Sequence, residues 1–183
     1  MKTLLVVDVQ NDFCEGGALG APGNDEVVPV INRILPHFDY VLASKDWHPE
    51  NSVHFEKWPA HCVKNTEGAA FHPELNHREI HRVFLKGTEG KDDGYSAFEA
   101  TNLSLAKTLR EKNVDELFVC GLTTEYCVKE TVLAALRQGF KTYLIEDATE
   151  AVLANPDDPD EAIEEMRRAG AIIVKSTDER VGD

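Results

Sequence analysis

Short apolar runs alternate with amphipathic segments along the whole chain. The run at 3–7 is continuous, which is typical of a strand buried on both faces of a parallel sheet. The segment 26–37 repeats apolar residues at helical spacing and predicts a helix. Its apolar face comprises Val27, Val30, Ile31 and Ile34. The alternation of strand and helix signals predicts an α/β protein.

The rest of the chain continues this alternation. Further strands are predicted at 40–43, 82–85, 116–120, 141–145 and 171–174, and further helices at 103–112, 124–138 and 159–169. We expect one domain over residues 1–183, folded as a three-layer α/β/α sandwich around a mostly parallel six-stranded sheet. Ligands bind beyond the carboxyl ends of the strands in such folds, so the residues that follow each strand are candidates for the site.

Reactive side chains follow four of the predicted strands. In chain order they are Asp8, Asp46 with His48, Lys86, and Cys127. Cys127 lies near the start of a predicted helix, where backbone N–H groups carry partial positive charge and favour a thiolate. A nearby carboxylate can take the thiol proton, and a lysine can stabilise the charges. These positions predict a cysteine nucleophile, Cys127, with Asp8 as its base and Lys86 as their electrostatic partner.

Carboxylate and imidazole groups also cluster after the second strand. Asp46 and His48 are two residues apart, so extended backbone directs both side chains to one side. His54 and His61 follow in the same irregular segment, 46–80. Asp and His together suit Zn²⁺, Fe²⁺ or Mn²⁺. The chain has no C-x-x-C pair, so a structural zinc site built on cysteines is not expected.

Charge and composition narrow the classes of partner. The chain has 183 residues, with 19 Lys and Arg against 33 Asp and Glu, which gives a net charge of −14. Such a charge repels phosphate backbones and anionic membranes, so neither nucleic acid nor a membrane is an expected partner. The apolar N-terminal run ends at Asp8, too early for a signal peptide. With four cysteines expected as reduced thiols, we predict a cytoplasmic protein.

The motifs that carry these residues resemble those of one family. The chain contains VDVQNDF at 7–13, DWHP at 46–49, WPAHCV at 58–63, KG at 86–87, YSAF at 95–98 and GLTTEYCV at 121–128. Their order resembles that of nicotinamidases, in the isochorismatase-like cysteine hydrolase superfamily. The first and last motifs are shared across much of the superfamily. The DWHP and WPxHC pair is more specific, because it marks nicotinamidase and pyrazinamidase members.

The resemblance implies an activity and its machinery. It implies hydrolysis of nicotinamide to nicotinate and ammonia through a thioester on Cys127, within NAD salvage, with pyrazinamide as a related substrate. The implied triad is Asp8, Lys86 and Cys127. The implied ligands of one divalent metal ion, Zn²⁺ ahead of Fe²⁺ or Mn²⁺, are Asp46, His48 and His61. Relatives often self-associate, so a homo-oligomer is compatible with the resemblance.

The resemblance also implies a substrate pocket. Phe13 and Trp58 match the aromatic walls that enclose the pyridine ring. The backbone N–H groups of Thr123 and Cys127 match the oxyanion hole. Leu122 is assigned to the pocket with them, and the peptide bond between Leu122 and Thr123 falls where the family has a cis bond.

Two questions stay open in the sequence. Family members often carry HxSF after DWHP, whereas this chain has SVHF at 52–55, so a fourth metal contact comes either from His54 or from Ser52 through a water. The activity also has alternatives. A related hydrolase acting on a carbamoyl or ureido group would keep the triad without the metal site, and the glycines at 17, 20 and 23 faintly resemble a nucleotide-binding loop of a non-catalytic module.

Overall fold

The computed structural model describes residues 1–152 and 158–182. Within these ranges, strands and α-helices alternate as the sequence predicts. The elements are β1 Lys2–Val7, α1 Val27–Ile34, β2 Tyr40–Asp46, β3 Arg82–Lys86, α2 Leu105–Glu111, β4 Glu116–Leu122, α3 Lys129–Arg137, β5 Lys141–Glu150, α4 Asp158–Arg168 and β6 Ile172–Val174. The predicted α/β class is confirmed. No helix in the described ranges is both long and apolar enough to cross a membrane.

The six strands form one sheet in the order β3-β2-β1-β4-β5-β6. Every neighbouring pair is parallel, so the sheet is fully parallel where the sequence predicted a mostly parallel one. The strand order reverses between β1 and β4, which is the point where open α/β sheets bind ligands. The register places Val7 beside both Ser44 of β2 and Gly121 of β4. The residues that follow β1 and β4 therefore meet at this point.

Two hydrophobic cores lie on opposite faces of the sheet. In β1, Leu4 and Val6 pack into the core that contains α1, whereas Leu5 and Val7 pack into the core that contains α2, α3 and part of α4. Burial on both faces explains why the first strand is a continuous apolar run. Each fully buried aliphatic side chain of this kind contributes about 1.5–3 kcal/mol, so the three layers are held chiefly by the sheet interior.

Several predicted boundaries shift. The helix predicted at 26–37 has an α-helical centre, because Pro36 lacks the N–H that an α-helix needs and the chain tightens into a 3₁₀ turn at Leu35–His37. Strand β5 extends to Glu150, five residues beyond the prediction, because its register with β4 shifts after Val119 and pairing resumes at Thr149. The helix predicted at 124–138 begins with a wider π-helical turn at Thr124–Val128 before α3.

Candidate active site

Asp8, Lys86 and Cys127 come from three different strand ends and meet beneath the surface. Lys86 Nζ lies 2.7 Å from Asp8 Oδ2 and 3.3 Å from Cys127 Sγ. Asp8 and Lys86 are fully buried, and Cys127 is 5% exposed. Lys86 also donates a hydrogen bond of 2.8 Å to the carbonyl of Gly94. The structure thus brings together the three residues that strand-end reasoning grouped.

The local backbone explains how Asp8 reaches this position. Asp8 directly follows β1, and its φ of 49° takes the chain out of the extended conformation. Ser44 on β2 donates a hydrogen bond of 2.7 Å from its Oγ to Asp8 Oδ1. Gly121 makes the close approach of β4 possible, because its φ is 113° and a Cβ there would lie 2.1 Å from the carbonyl oxygen of Val7. Only glycine fits such a position. The strand ends therefore converge more tightly than ordinary side chains allow.

The turn after β4 carries the nucleophile. The peptide bond between Leu122 and Thr123 is cis, as the family resemblance implied. The Thr123 carbonyl accepts hydrogen bonds from the N–H groups of Tyr126 and Val128, at 3.2 and 3.1 Å. These bonds close the π-helical turn that contains Cys127. The turn therefore holds Cys127 directly beyond the end of β4.

Lys86 forms ion pairs with two carboxylates, whereas the sequence predicted only its pairing with Asp8. Besides Asp8, its ammonium forms a short ion pair with Asp46. Burial alone lowers the pKa of Lys86, but the charges on Asp46 and Asp8 outweigh it and hold that pKa well above its usual range. Burial alone raises the pKa of Asp46, but the charge on Lys86 holds it well below its usual range. Lys86 therefore stays charged and joins the nucleophile to the imidazole cluster described below.

The ionisation of Cys127 corrects the expectation drawn from its helix position. Burial raises the pKa of the Cys127 thiol well above its usual range, and Asp8 and Asp46 add to this in spite of Lys86. Burial beside two carboxylates outweighs the helix start and favours the neutral thiol. Burial also raises the pKa of Asp8, which makes it a stronger acceptor of a proton. The arrangement suits proton transfer from Cys127 to Asp8 during reaction.

Three imidazoles gather around Asp46. One nitrogen from each of His48, His54 and His61 lies within 4.8 Å of the others. Asp46 Oδ2 lies 3.3 Å from His48 Nε2 and 3.7 Å from His61 Nε2. All four side chains are buried. The predicted ligands Asp46, His48 and His61 are therefore together, with His54 beside them.

Backbone carbonyls fix the orientation of two of these rings. His48 Nδ1 lies 3.1 Å from the carbonyl oxygen of Gly87, and His61 Nδ1 lies 2.7 Å from that of Pro59. A carbonyl only accepts, so each ring carries a proton on Nδ1 and leaves Nε2 as the nitrogen that faces the cluster. Apart from its 3.3 Å approach to Asp46 Oδ2, the buried His48 Nε2 has no hydrogen-bond partner within the described part of the chain. This donor set fits a divalent ion of the Zn²⁺, Fe²⁺ or Mn²⁺ class.

His54 joins this cluster, whereas Ser52 supports the backbone. The His54 ring stacks on His48 with centroids 4.7 Å apart. Its Nδ1 lies 3.1 Å from Asp92 Oδ1, a carboxylate that also pairs with Lys57. Ser52 Oγ accepts a hydrogen bond of 3.2 Å from the backbone N–H of His54 and caps the short helix that follows. Of the two alternatives that the sequence left open, this geometry favours His54.

Cys127 and the imidazole cluster face one cavity. The cavity contains about 350 Å³ of empty space, including its open mouth. Phe13, Trp58 and Thr123 are among the residues that line it. Leu122 does not, because its side chain is fully buried in the core on the α1 side of the sheet.

The cavity wall includes residues that the sequence analysis did not single out. They are Leu19, Tyr95, Tyr126 and Val152. Trp58 Nε1 donates a hydrogen bond of 3.2 Å to the Tyr95 hydroxyl, and the Trp58 ring packs edge-on against Tyr126 at 5.0 Å between centroids. Tyr95 lies in the motif YSAF, and Tyr126 lies in the motif GLTTEYCV. Their closeness in sequence to the reactive residues was the signal that could have identified them as cavity residues.

The comparison with known families agrees with this site. The profile of the Isochorismatase domain family matches residues 2–178. The chain belongs to the isochorismatase family. This isochorismatase-family chain is 41% identical over 204 aligned residues to the nicotinamidase of Escherichia coli, covering 97% of the chain and 96% of that relative.

Solved isochorismatase-family structures share the fold closely. The pyrazinamidase of Pyrococcus horikoshii, solved in complex with zinc, is 41% identical with a TM-score of 0.85, over 94% of this chain and 98% of that one. The PnC1 protein of L. infantum, solved in complex with nicotinate, is 35% identical with a TM-score of 0.89, over 96% and 92% of the two chains. The predicted isochorismatase-like fold is confirmed.

Proposed function

We propose that the protein is a metal-dependent nicotinamidase that hydrolyses nicotinamide to nicotinate and ammonia. One observation carries the proposal. The Cys127 thiol, held by Lys86 at 3.3 Å, and a buried set of three imidazoles and one carboxylate face the same cavity. A nucleophile and a divalent-metal donor set therefore act on the two ends of one small molecule.

The buried charges around Cys127 support acyl transfer. Asp8 takes the thiol proton, and Lys86 stabilises the resulting thiolate, which attacks the carboxamide carbon. The C–N bond then breaks, Asp8 returns the proton to the leaving nitrogen, and ammonia departs. A water deprotonated by Asp8 attacks the thioester and releases nicotinate, which restores the Cys127 thiol.

The turn after β4 supplies the groups that stabilise the tetrahedral oxyanion. The backbone N–H groups of Thr123 and Cys127 are assigned this role. Both residues line the cavity beside the thiol. Removing one donor of this type costs about 2.7–4 kcal/mol of transition-state stabilisation.

The remaining side chains hold the ring. Phe13 and Trp58 line the cavity and suit the two faces of a pyridine ring. Asp46, His48, His54 and His61 would hold a divalent ion, assigned as Zn²⁺, which would supply Lewis-acid chemistry to the cavity when bound. Nicotinamide is neutral, so the net charge of −14 does not oppose its binding. A cytoplasmic location and a role in NAD salvage belong to the same proposal.

The test is ammonia release from nicotinamide. The protein is assayed as purified, after stripping with a chelator, after restoring Zn²⁺, and as the variants Cys127→Ala and Cys120→Ala. Cys120 is the matched control, because it is buried in the sheet and does not line the cavity. We expect Cys127→Ala to lose turnover, Cys120→Ala to retain it, and added metal to restore the stripped protein.

Other amides separate the proposal from its alternative. Pyrazinamide is expected to be hydrolysed as well. Absence of ammonia release from nicotinamide by metal-replete protein would overturn the proposal. Hydrolysis of a carbamoyl or ureido compound in its place would support the related hydrolase.

A further inference from the structure

A second group of metal-ligating side chains lies outside the candidate active site. One ligand atom from each of Cys14, Asp25 and His72 lies within 4.8 Å of the others. His72 Nε2 is 3.4 Å from Asp25 Oδ2, and the Cys14 thiol is hydrogen-bonded to Asp25. The thiol and the imidazole thus converge on one carboxylate, which resembles a three-ligand cation site.

These residues line a separate cleft. The cleft contains about 1070 Å³ of empty space, including its wide mouth, and none of the three residues lines the cavity that contains Cys127. Glu15 and Glu67 also line the cleft, so its potential is negative and attracts cations. Cys14 itself is buried, at 2% exposure. A cation can therefore reach the group from solvent without passing through the active-site cavity.

We propose that Cys14, Asp25 and His72 form a second, independent site for a divalent cation of the zinc class. A set of one thiolate, one imidazole and one carboxylate suits a borderline-soft ion with tetrahedral coordination, and water supplies the fourth position. Hard ions such as Mg²⁺ and Ca²⁺ prefer sites built from oxygen, so they do not compete well here.

Binding at this site moves two protons. Burial and the neighbouring Asp25 raise the pKa of Cys14 to about 12, so the metal-free group is a thiol and its proton leaves to solvent as the sulfur–metal bond forms. His72 Nδ1 accepts a hydrogen bond of 3.2 Å from the backbone N–H of Glu74, so the ring proton is on Nε2. That proton must shift to Nδ1 when Nε2 binds the metal. The Glu74 contact is solvent-exposed, so water replaces it at small cost.

The site joins two segments of the chain. Cys14 and Asp25 belong to the loop after β1, whereas His72 follows the antiparallel bridge between Gln10 and Phe71. Cys14 directly follows Phe13, which lines the active-site cavity. A bound cation therefore fastens the loop that carries Phe13 to a segment distant in sequence, and stabilises the folded chain by mass action.

Cobalt distinguishes this site from the candidate active site. A sulfur-to-cobalt charge-transfer band in the near ultraviolet requires a thiolate ligand, whereas the imidazole cluster supplies only nitrogen and oxygen donors. Co²⁺ is titrated into the chelator-stripped full chain, and bound metal is counted after desalting. We expect two ions per chain and the charge-transfer band in the unmodified protein, and one ion without the band in Cys14→Ser.

Matched variants assign the ligands. The variants Asp25→Asn and His72→Gln are expected to raise the Co²⁺ dissociation constant of the charge-transfer site by about tenfold or more, since loss of an outer partner alone costs 10–100-fold. His77→Gln is the histidine control, because His77 lies outside the cleft. Cys127→Ala is expected to keep the band, which excludes the catalytic thiol as its source.

The proposal is overturned if the band persists in Cys14→Ser, if it is lost in Cys127→Ala, or if the unmodified protein binds one ion without a band. Should Cys14→Ser fail to fold by circular dichroism, the other two ligand variants decide. Asp25 and His72 belong to neither of the two hydrophobic cores, so their substitution leaves those cores intact. An unchanged dissociation constant in both variants would overturn the assignment.

Discussion

The two halves of the candidate active site are built in different ways. The nucleophile half comes from strand ends, where hydrogen bonds between neighbouring strands fix the positions of the residues. The N–H of Asp8 donates a hydrogen bond of 3.2 Å to the Ser44 carbonyl, and Asp46 is in register with Lys86. The imidazoles of the metal half come from the irregular segment after β2, whereas its carboxylate, Asp46, is the last residue of β2. In that segment the N–H of Cys62 donates a hydrogen bond of 2.7 Å to Asp12 Oδ2, which joins two loops that are 50 residues apart in sequence.

The difference separates two kinds of energetic dependence. In the nucleophile half, the charged groups are fully buried, so replacing any one of them changes both the stability of the fold and the chemistry of the site. In the metal half, backbone carbonyls and Asp92 orient neutral ligand groups that line the cavity, so changes there act mainly on ligand affinity. Lys86 connects the halves, because it contacts both Asp8 and Asp46.

The largest effect should come from removing the catalytic base without changing any residue of the metal half. Asp8→Asn keeps the shape of the side chain but removes the proton acceptor, so kcat for nicotinamide hydrolysis should fall by about 10²–10⁴-fold. Metal affinity should change far less than kcat, because Asp8 contacts Asp46 only through Lys86. Steady-state kinetics and a chelator-competition titration measure the two quantities. Asp115→Asn, at the exposed N-terminal ion pair, is the control, and an equal loss in both variants would contradict the prediction.

The next effect concerns the connection between the halves. Lys86→Met leaves two buried carboxylates without their shared cation, so the free energy of unfolding should fall by about 3–5 kcal/mol. Urea denaturation measures it. Lys141→Met breaks an exposed, solvent-screened pair with Glu116 and should lower the free energy of unfolding far less. Similar losses in the two variants would show that burial of Lys86 is energetically unimportant.

A smaller effect, on metal affinity, is expected from a change within the metal half. Asp92→Ala removes the partner of His54 Nδ1 and should weaken metal binding by about 10–100-fold. Asp92→Asn, whose amide oxygen can still accept from the ring, should fall between this variant and the unmodified protein. Competition with a chromogenic chelator gives the dissociation constants. Glu89→Gln, which breaks an exposed pair with Lys91 in the same loop, should have no effect. Unchanged affinity in Asp92→Ala would contradict the assignment of His54.

The smallest effect lies in the aromatic wall. Trp58→Phe keeps a ring in place but removes the hydrogen bond to the Tyr95 hydroxyl, worth about 0.5–1.5 kcal/mol. We expect KM for nicotinamide to rise by the corresponding factor, about 2- to 13-fold, with kcat nearly unchanged. Tyr95→Phe removes the same bond, so the double variant should be no worse than either single one. Additive effects would show that the two residues act separately.

Much of the fold and half of the site could be predicted from local sequence. Continuous apolar runs identify strands buried on both faces, and parallel strands place their carboxyl ends at one edge. That reasoning grouped Asp8, Lys86 and Cys127, which the structure brings within hydrogen-bonding reach. The end of β5 was missed, because Glu146 and Asp147 interrupt the apolar pattern while β4 still pairs beyond them.

Tertiary structure alone decided the other features. The sequence around 52–55 offers both a serine and a histidine, and only the structure shows that His54 lies beside the other imidazoles and contacts Asp92, 38 residues away. The helix start favoured an acidic Cys127, yet burial beside Asp8 and Asp46 raises its pKa. Local pattern determines which faces of an element are buried. Ionisation and ligand sets depend on charges and donors that distant segments bring together, so they are settled only when those segments pack.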